Sequence, residues 1–130
     1  MVDVRVTTTV FDSRDPYRLA RFWADALGYV PELGEDDWPA LRREGEAGEL
    51  AWVKLVGPPE AIPVAFQRVP EPKVTKNRLH LDLAAADEEA EARRLEALGA
   101  TRLRRFEEED DVFVVLADPE GNEFCVVRSR

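Results

Sequence analysis

The chain has 130 residues, of which 45% are hydrophobic and 35% charged, and a formal net charge of −9. That length supports one domain with a real core, but hardly two independent ones. The negative field opposes nucleic-acid phosphate and anionic membranes, which both attract clustered Lys and Arg, and no apolar run reaches the roughly 18 residues of a membrane span.

Met1 to Val6 alternates like a strand and has neither the basic head nor the apolar run of a signal peptide, so cytoplasmic residence is expected. Arg5 to Phe11, rich in Val and Thr, predicts the first strand. Asp15 can cap a helix and Pro16 suits its first turn. Leu19, Phe22, Trp23, Ala26 and Leu27 then recur at helical spacing up to Gly28, a natural terminator. Phe22 and Trp23 are expected to anchor this helix on a sheet.

Short strands are predicted at Tyr29 to Leu33 and Trp38 to Leu41, the latter opening an acidic excursion. Clearer strands follow at Leu50 to Val56 and Ile62 to Val69. Pro63 suits an edge position or the first residues of its strand. The proline-rich, polar stretch 70–77 reads as a linker.

The pattern then starts again. Leu79 to Leu83 alternates strictly, Asp87 can cap a helix, and Gly99 can end it. Ala90, Leu95 and Leu98 are the expected buried stripe. Arg102 to Phe106 and Val112 to Ala117 predict strands, Asp118 to Asn122 a turn, and Glu123 to Val127 a closing strand. Both helices end in Ala-Leu-Gly, at Ala26-Leu27-Gly28 and Ala97-Leu98-Gly99. Two βαβββ modules follow, at approximately 1–69 and 78–130. They are expected to form one α+β domain, with a curved mixed sheet around a central trough.

With these pieces in place, the chain resembles the glyoxalase/bleomycin-resistance/extradiol-dioxygenase (vicinal oxygen chelate) superfamily, and most of all its small bacterial glyoxalase-like branch. The pieces that carry the resemblance are Asp15 to Trp23 with Ala26 to Tyr29, Phe66 to Lys73, Asn77 to Leu83, and Asp118 to Cys125. In metal-using relatives the ligands come from the first and last strands of each module. Carried over, those positions fall on Thr8 and Gln67 in the first module and on His80 and Cys125 in the second. This quartet lacks the family's first histidine and both glutamates. His80 and a Cys125 thiolate could contact Zn²⁺, but a firm site needs more than two protein groups. Glu123 shares a strand face with Cys125 and is the fallback ligand. The resemblance therefore implies no cofactor and no complete metal site.

His80 and Asp82 share one strand face, while Leu79, Leu81 and Leu83 share the other and are expected to meet the helix. His80 is either a histidine satisfied by a neighbour or a ligand contact and general acid/base, a role that suits imidazole. Trp38 and Trp52 are either core anchors or walls for a planar ligand, with Thr8 and Gln67 supplying neutral hydrogen bonds. Cys125 is either a small buried hydrophobe or part of the site.

Three functions stay open. The first is a small-molecule binding domain for a planar or aromatic ligand, with Thr8, Trp38, Trp52, Gln67, His80, Asp82 and Cys125 as contacts. The second is a lyase, isomerase or dioxygenase-like enzyme that uses His80. The third is a dimeric structural or regulatory module. A homodimer is expected from the resemblance.

Overall fold

A computed structural model describes residues 2–32 and 52–129. Trp38 and the acidic excursion around it lie outside the described residues. The chain divides into two compact units, Met1–Pro72 and Lys73–Arg130.

The first unit runs β1 (Thr9–Ser13), α1 (Pro16–Leu27), β2 (Val30–Pro31), β3 (Trp52–Val56) and β4 (Val64–Arg68). Asp15 caps α1 by accepting the Arg18 N–H at 3.3 Å. Gly28 ends it with φ +70°, a left-handed conformation that glycine adopts without a Cβ penalty. The α1 stripe packs on one sheet face, where Leu19 and Trp23 are fully buried. The Phe11 ring stacks on both Trp23 and Phe66, at 5.4 and 5.3 Å. Full burial of a side chain such as Leu19 or Phe66 is worth roughly 1.5–3 kcal/mol. Phe22 and Trp23 are thus core anchors, as expected, whereas Trp52 is 45% exposed and is not.

The first strand starts later than its composition predicts. Residues 2–8 form no strand, and Val2, Val4 and Val6 are exposed. β4 lies between β1 and β3, so Pro63 precedes an interior strand, where its missing N–H costs no ladder bond.

The second unit repeats the order with β5 (Asp82–Ala85), α2 (Glu88–Leu98), β6 (Thr101–Glu108), β7 (Asp111–Ala117) and β8 (Glu123–Arg128). Asp87 caps α2 through the Ala90 N–H at 3.0 Å. The buried stripe of α2 is Glu88, Ala92 and Leu95; of the expected Ala90, Leu95 and Leu98, only Leu95 is buried. Glu88 takes an inner position because Arg105 and Arg128 meet its carboxylate there. Of the three leucines expected to face the helix, Leu79 is 69% exposed because it precedes the strand.

The strand pairings duplicate as well. The first sheet has order β1-β4-β3-β2 and the second β5-β8-β7-β6. In each, the last strand returns parallel to the first and antiparallel to the third. This corrects the expectation of one curved sheet around a trough. Each module satisfies its first strand with its own last strand, so the result is two open four-stranded sheets. Neither closes on itself.

Candidate functional site

The side chains with the most chemistry converge on the second sheet, on the face turned away from α2. Val112, Val114, Leu116, Phe124 and Val126 are buried, and strand alternation leaves Phe113, Val115, Cys125 and Val127 on the opposite face. Cross-strand register then builds two rows. One runs Asp82, Cys125, Val115, Arg104, and the other Ala84, Val127, Phe113, Phe106. Phe106 and Phe113 stack with ring centres 4.9 Å apart. A cavity of about 600 Å³ opens over this face, lined by His80, Asp82, Cys125, Val115, Phe113 and Arg104 among others.

Arg104 reaches this face through an irregularity that alternation does not reveal. The β6–β7 register shifts between Arg102 and Arg104. Simple alternation would put both arginines on one side. The extra residue instead sends Arg102 to Glu89 and Glu96 of α2, at 2.9 and 3.2 Å. It returns Arg105 to the same helix and turns Arg104 to the cavity.

At one end of the cavity His80 Nε2 lies 3.2 Å from Asp82 Oδ1. Cys125 stands directly across the ladder from Asp82. Ligand atoms of His80, Asp82 and Cys125 all lie within 4.8 Å of one another. The Cys125 thiol is pushed up from its ordinary pKa by burial first and by the Asp82 charge second, so without another partner it stays a thiol. It is only half-buried and lines the cavity, which places it with the site and not in the core.

Glu123, the fallback ligand, already has partners. Lys73 Nζ lies 2.7 Å from one carboxylate oxygen, while Lys76 Nζ at 3.4 Å and the Asn77 N–H at 3.1 Å meet the other. Burial raises its pKa, but these three partners outweigh burial and hold it at about 2. Asn77 also accepts the Glu123 N–H at 2.8 Å and donates to the Leu79 carbonyl. Residues 73–77 are therefore pinned where they lead into His80. The turn beyond it is equally firm. The buried Asp118 accepts the N–H groups of Glu120 and Asn122 at 2.9 and 3.0 Å, and Gly121 has φ +91°.

In the first module, Trp52 and Gln67 stand opposite each other, with Asp12 on the far side of Gln67. Thr8 precedes β1 and lies four residues before Asp12, roughly 13 Å of extended chain, so it is not part of the row that Asp12, Gln67 and Trp52 form. The register also revises the match between modules. Val10 faces Ala65 as Asp82 faces Cys125, so the counterpart of Cys125 is Ala65. Ala65 is fully buried and has no donor atom. The first module therefore offers Thr8 alone at its two inherited ligand positions.

Residues 8–127 match the family described as glyoxalase-like domain. No curated protein matches the chain. Among solved structures, a glyoxalase/bleomycin resistance protein/dioxygenase family enzyme from Burkholderia phytofirmans is 16% identical, with TM-score 0.69 and coverage of 95% of this chain and 98% of that one. The fosfomycin resistance protein FosX from Mesorhizobium loti is 14% identical, with TM-score 0.69 and coverage of 100% and 94%. The bleomycin-binding protein of Streptomyces verticillus is 16% identical, with TM-score 0.60 and full coverage of both chains. At these identities the likeness is one of fold.

Proposed function

The chain belongs to the glyoxalase-like domain family, and on that premise we propose that the open face of its second sheet binds a planar or aromatic small molecule. The observation that carries this reading is the cavity itself, which has an apolar floor between two polar ends. Phe113, Val115 and Val127 offer a flat surface that suits stacking and area burial. His80 and Asp82 stand at one end. At the other is Arg104, whose planar guanidinium suits a carboxylate or similar anionic group. Fosfomycin resistance and bleomycin binding in proteins of this fold are consistent with such a site. A twofold homodimer is part of the proposal, and sedimentation showing only monomer would remove it.

The test is a thermal-shift screen of planar aromatic acids, followed by calorimetry on any hit. His80→Ala and Arg104→Ala should each weaken a hit by at least about tenfold, the loss of one good polar contact. A hit that ignores both substitutions, or a screen without hits, would count against this face.

A second reading rests on the contact between His80 and Asp82. If Asp82 holds the proton on Nε2, Nδ1 is left as a base, which a lyase or isomerase could use. Loss of turnover in His80→Ala, on a substrate found by screening, would support it.

No helix among the described residues is long and apolar enough to cross a membrane.

A further inference from the structure

We propose that His80, Asp82 and Cys125 form a mononuclear site for a borderline-soft divalent ion, Zn²⁺ or Co²⁺, held entirely within the second module. This goes beyond the ligand-binding reading and stands without it, since an ion needs no organic molecule to bind.

Three observations carry the proposal. The first is position. Asp82 and Cys125 are a directly facing cross-strand pair, and His80 precedes Asp82 by two residues, on the same side of the chain. Their donor atoms already lie within 4.8 Å of one another, and His80 and Asp82 are in contact at 3.2 Å. Tetrahedral bonds of about 2.0–2.3 Å put ligand atoms about 3.3–3.8 Å apart. Closing the remaining gap takes rotation of two side chains that are about half exposed, at 49% and 61%.

The second is chemistry. One nitrogen, one carboxylate oxygen and one sulfur suit Zn²⁺ or Co²⁺, whereas Mg²⁺ and Ca²⁺ take oxygen. Coordination expels the Cys125 thiol proton to solvent. The thiolate and the Asp82 carboxylate then balance the ion's two charges.

The third is the count of ligands. Glu123, the other carboxylate on this strand face, is held by Lys73, Lys76 and Asn77. Among the described residues three protein donors remain, and all three line the cavity, from which a fourth ligand could come. Three ligands and an open position describe a site that can accept a further ligand from solution.

The chain contains one cysteine and one histidine, so spectroscopy can assign the site without ambiguity. The experiment is a titration of chelator-treated, untagged protein with Co²⁺ alone, followed by optical absorption. The expected result is one equivalent of tetrahedral Co²⁺ with a sulfur-to-cobalt charge-transfer band, bleached by stoichiometric Zn²⁺. Cys125→Ser should remove that band. His80→Gln and Asp82→Asn alter exposed groups and leave folding intact. Each should weaken binding by at least about tenfold, the lower bound seen even for outer-shell partners. Absence of the band at saturating Co²⁺ would overturn the proposal. So would a band whose midpoint neither His80→Gln nor Asp82→Asn moves, because the thiol would then be binding the ion alone.

Discussion

Substituting Glu123 with Gln tests whether one carboxylate fixes the approach to the site. The change keeps side-chain size and one acceptor oxygen. It removes the charge that faces Lys73, whose side chain is only 18% exposed. Lys73 keeps its bond to the Thr75 carbonyl at 2.6 Å, so it is not stranded. The fall in the Glu123 pKa from 4.5 to about 2 corresponds to ~3 kcal/mol by linkage. Lys76 is well exposed and screened by solvent, so ~2 kcal/mol is the working figure. In urea this amounts to a midpoint lower by about 1 M. The sign with pH follows from the depressed pKa. The contribution is complete above the unfolded value near 4.5 and is lost as pH falls towards 2. Urea midpoints measured from pH 7 to pH 2 should therefore converge for wild type and Glu123→Gln as the pH drops. Equal midpoints at pH 7, or a gap that persists undiminished to pH 2, would refute the reasoning.

Other expectations concern nearby groups. Asp82→Asn removes a negative charge that raises the Cys125 pKa, so in metal-free protein the thiol should react faster with a disulfide reagent at fixed pH near 8; an equal or slower rate would contradict this. Glu88 is held at about 2 by Arg128 first, with its own backbone N–H and Arg105 adding to this, and together they outweigh the burial that raises it; its side chain is 2% exposed. Glu88→Gln should therefore lower the melting temperature at pH 7 more than Glu89→Gln does, a difference that shrinks as pH falls from 4.5 towards 2. Gly57→Ala would set a Cβ against the Tyr29 ring, and a loss of ~1–3 kcal/mol in chemical denaturation is expected from the overpacking.

Much of the scaffold was legible in the chain. Asp15 and Asp87 announce their helices because a short carboxylate satisfies free N–H groups at a helix start. Gly28 and Gly99 end them because the chain there takes positive φ. The repeated spacing from strand to cap shows a duplicated unit, since both copies must solve the same packing problem. His80, Asp82 and Cys125 were visible as candidates, and strand alternation already placed His80 and Asp82 on one face.

Other features depended on register and long-range pairing. That Cys125 stands across from Asp82, and that Ala65 takes the corresponding place in the first module, follows from which residues share a ladder. Local pattern does not encode that choice. The β6 irregularity sent Arg104 to the cavity against simple alternation. The partners of Glu123, namely Lys73, Lys76 and Asn77, lie some fifty residues away or fewer in the chain and reach it only after folding. Sequence by itself determined the duplicated βαβββ unit, through local capping, turn and periodicity rules that need no distant partner. Tertiary structure alone decided that each unit pairs its first strand with its own last strand, and that His80, Asp82 and Cys125 bring their donor atoms within 4.8 Å of one another, because strand pairing and ion pairing are settled by contacts the linear chain does not contain.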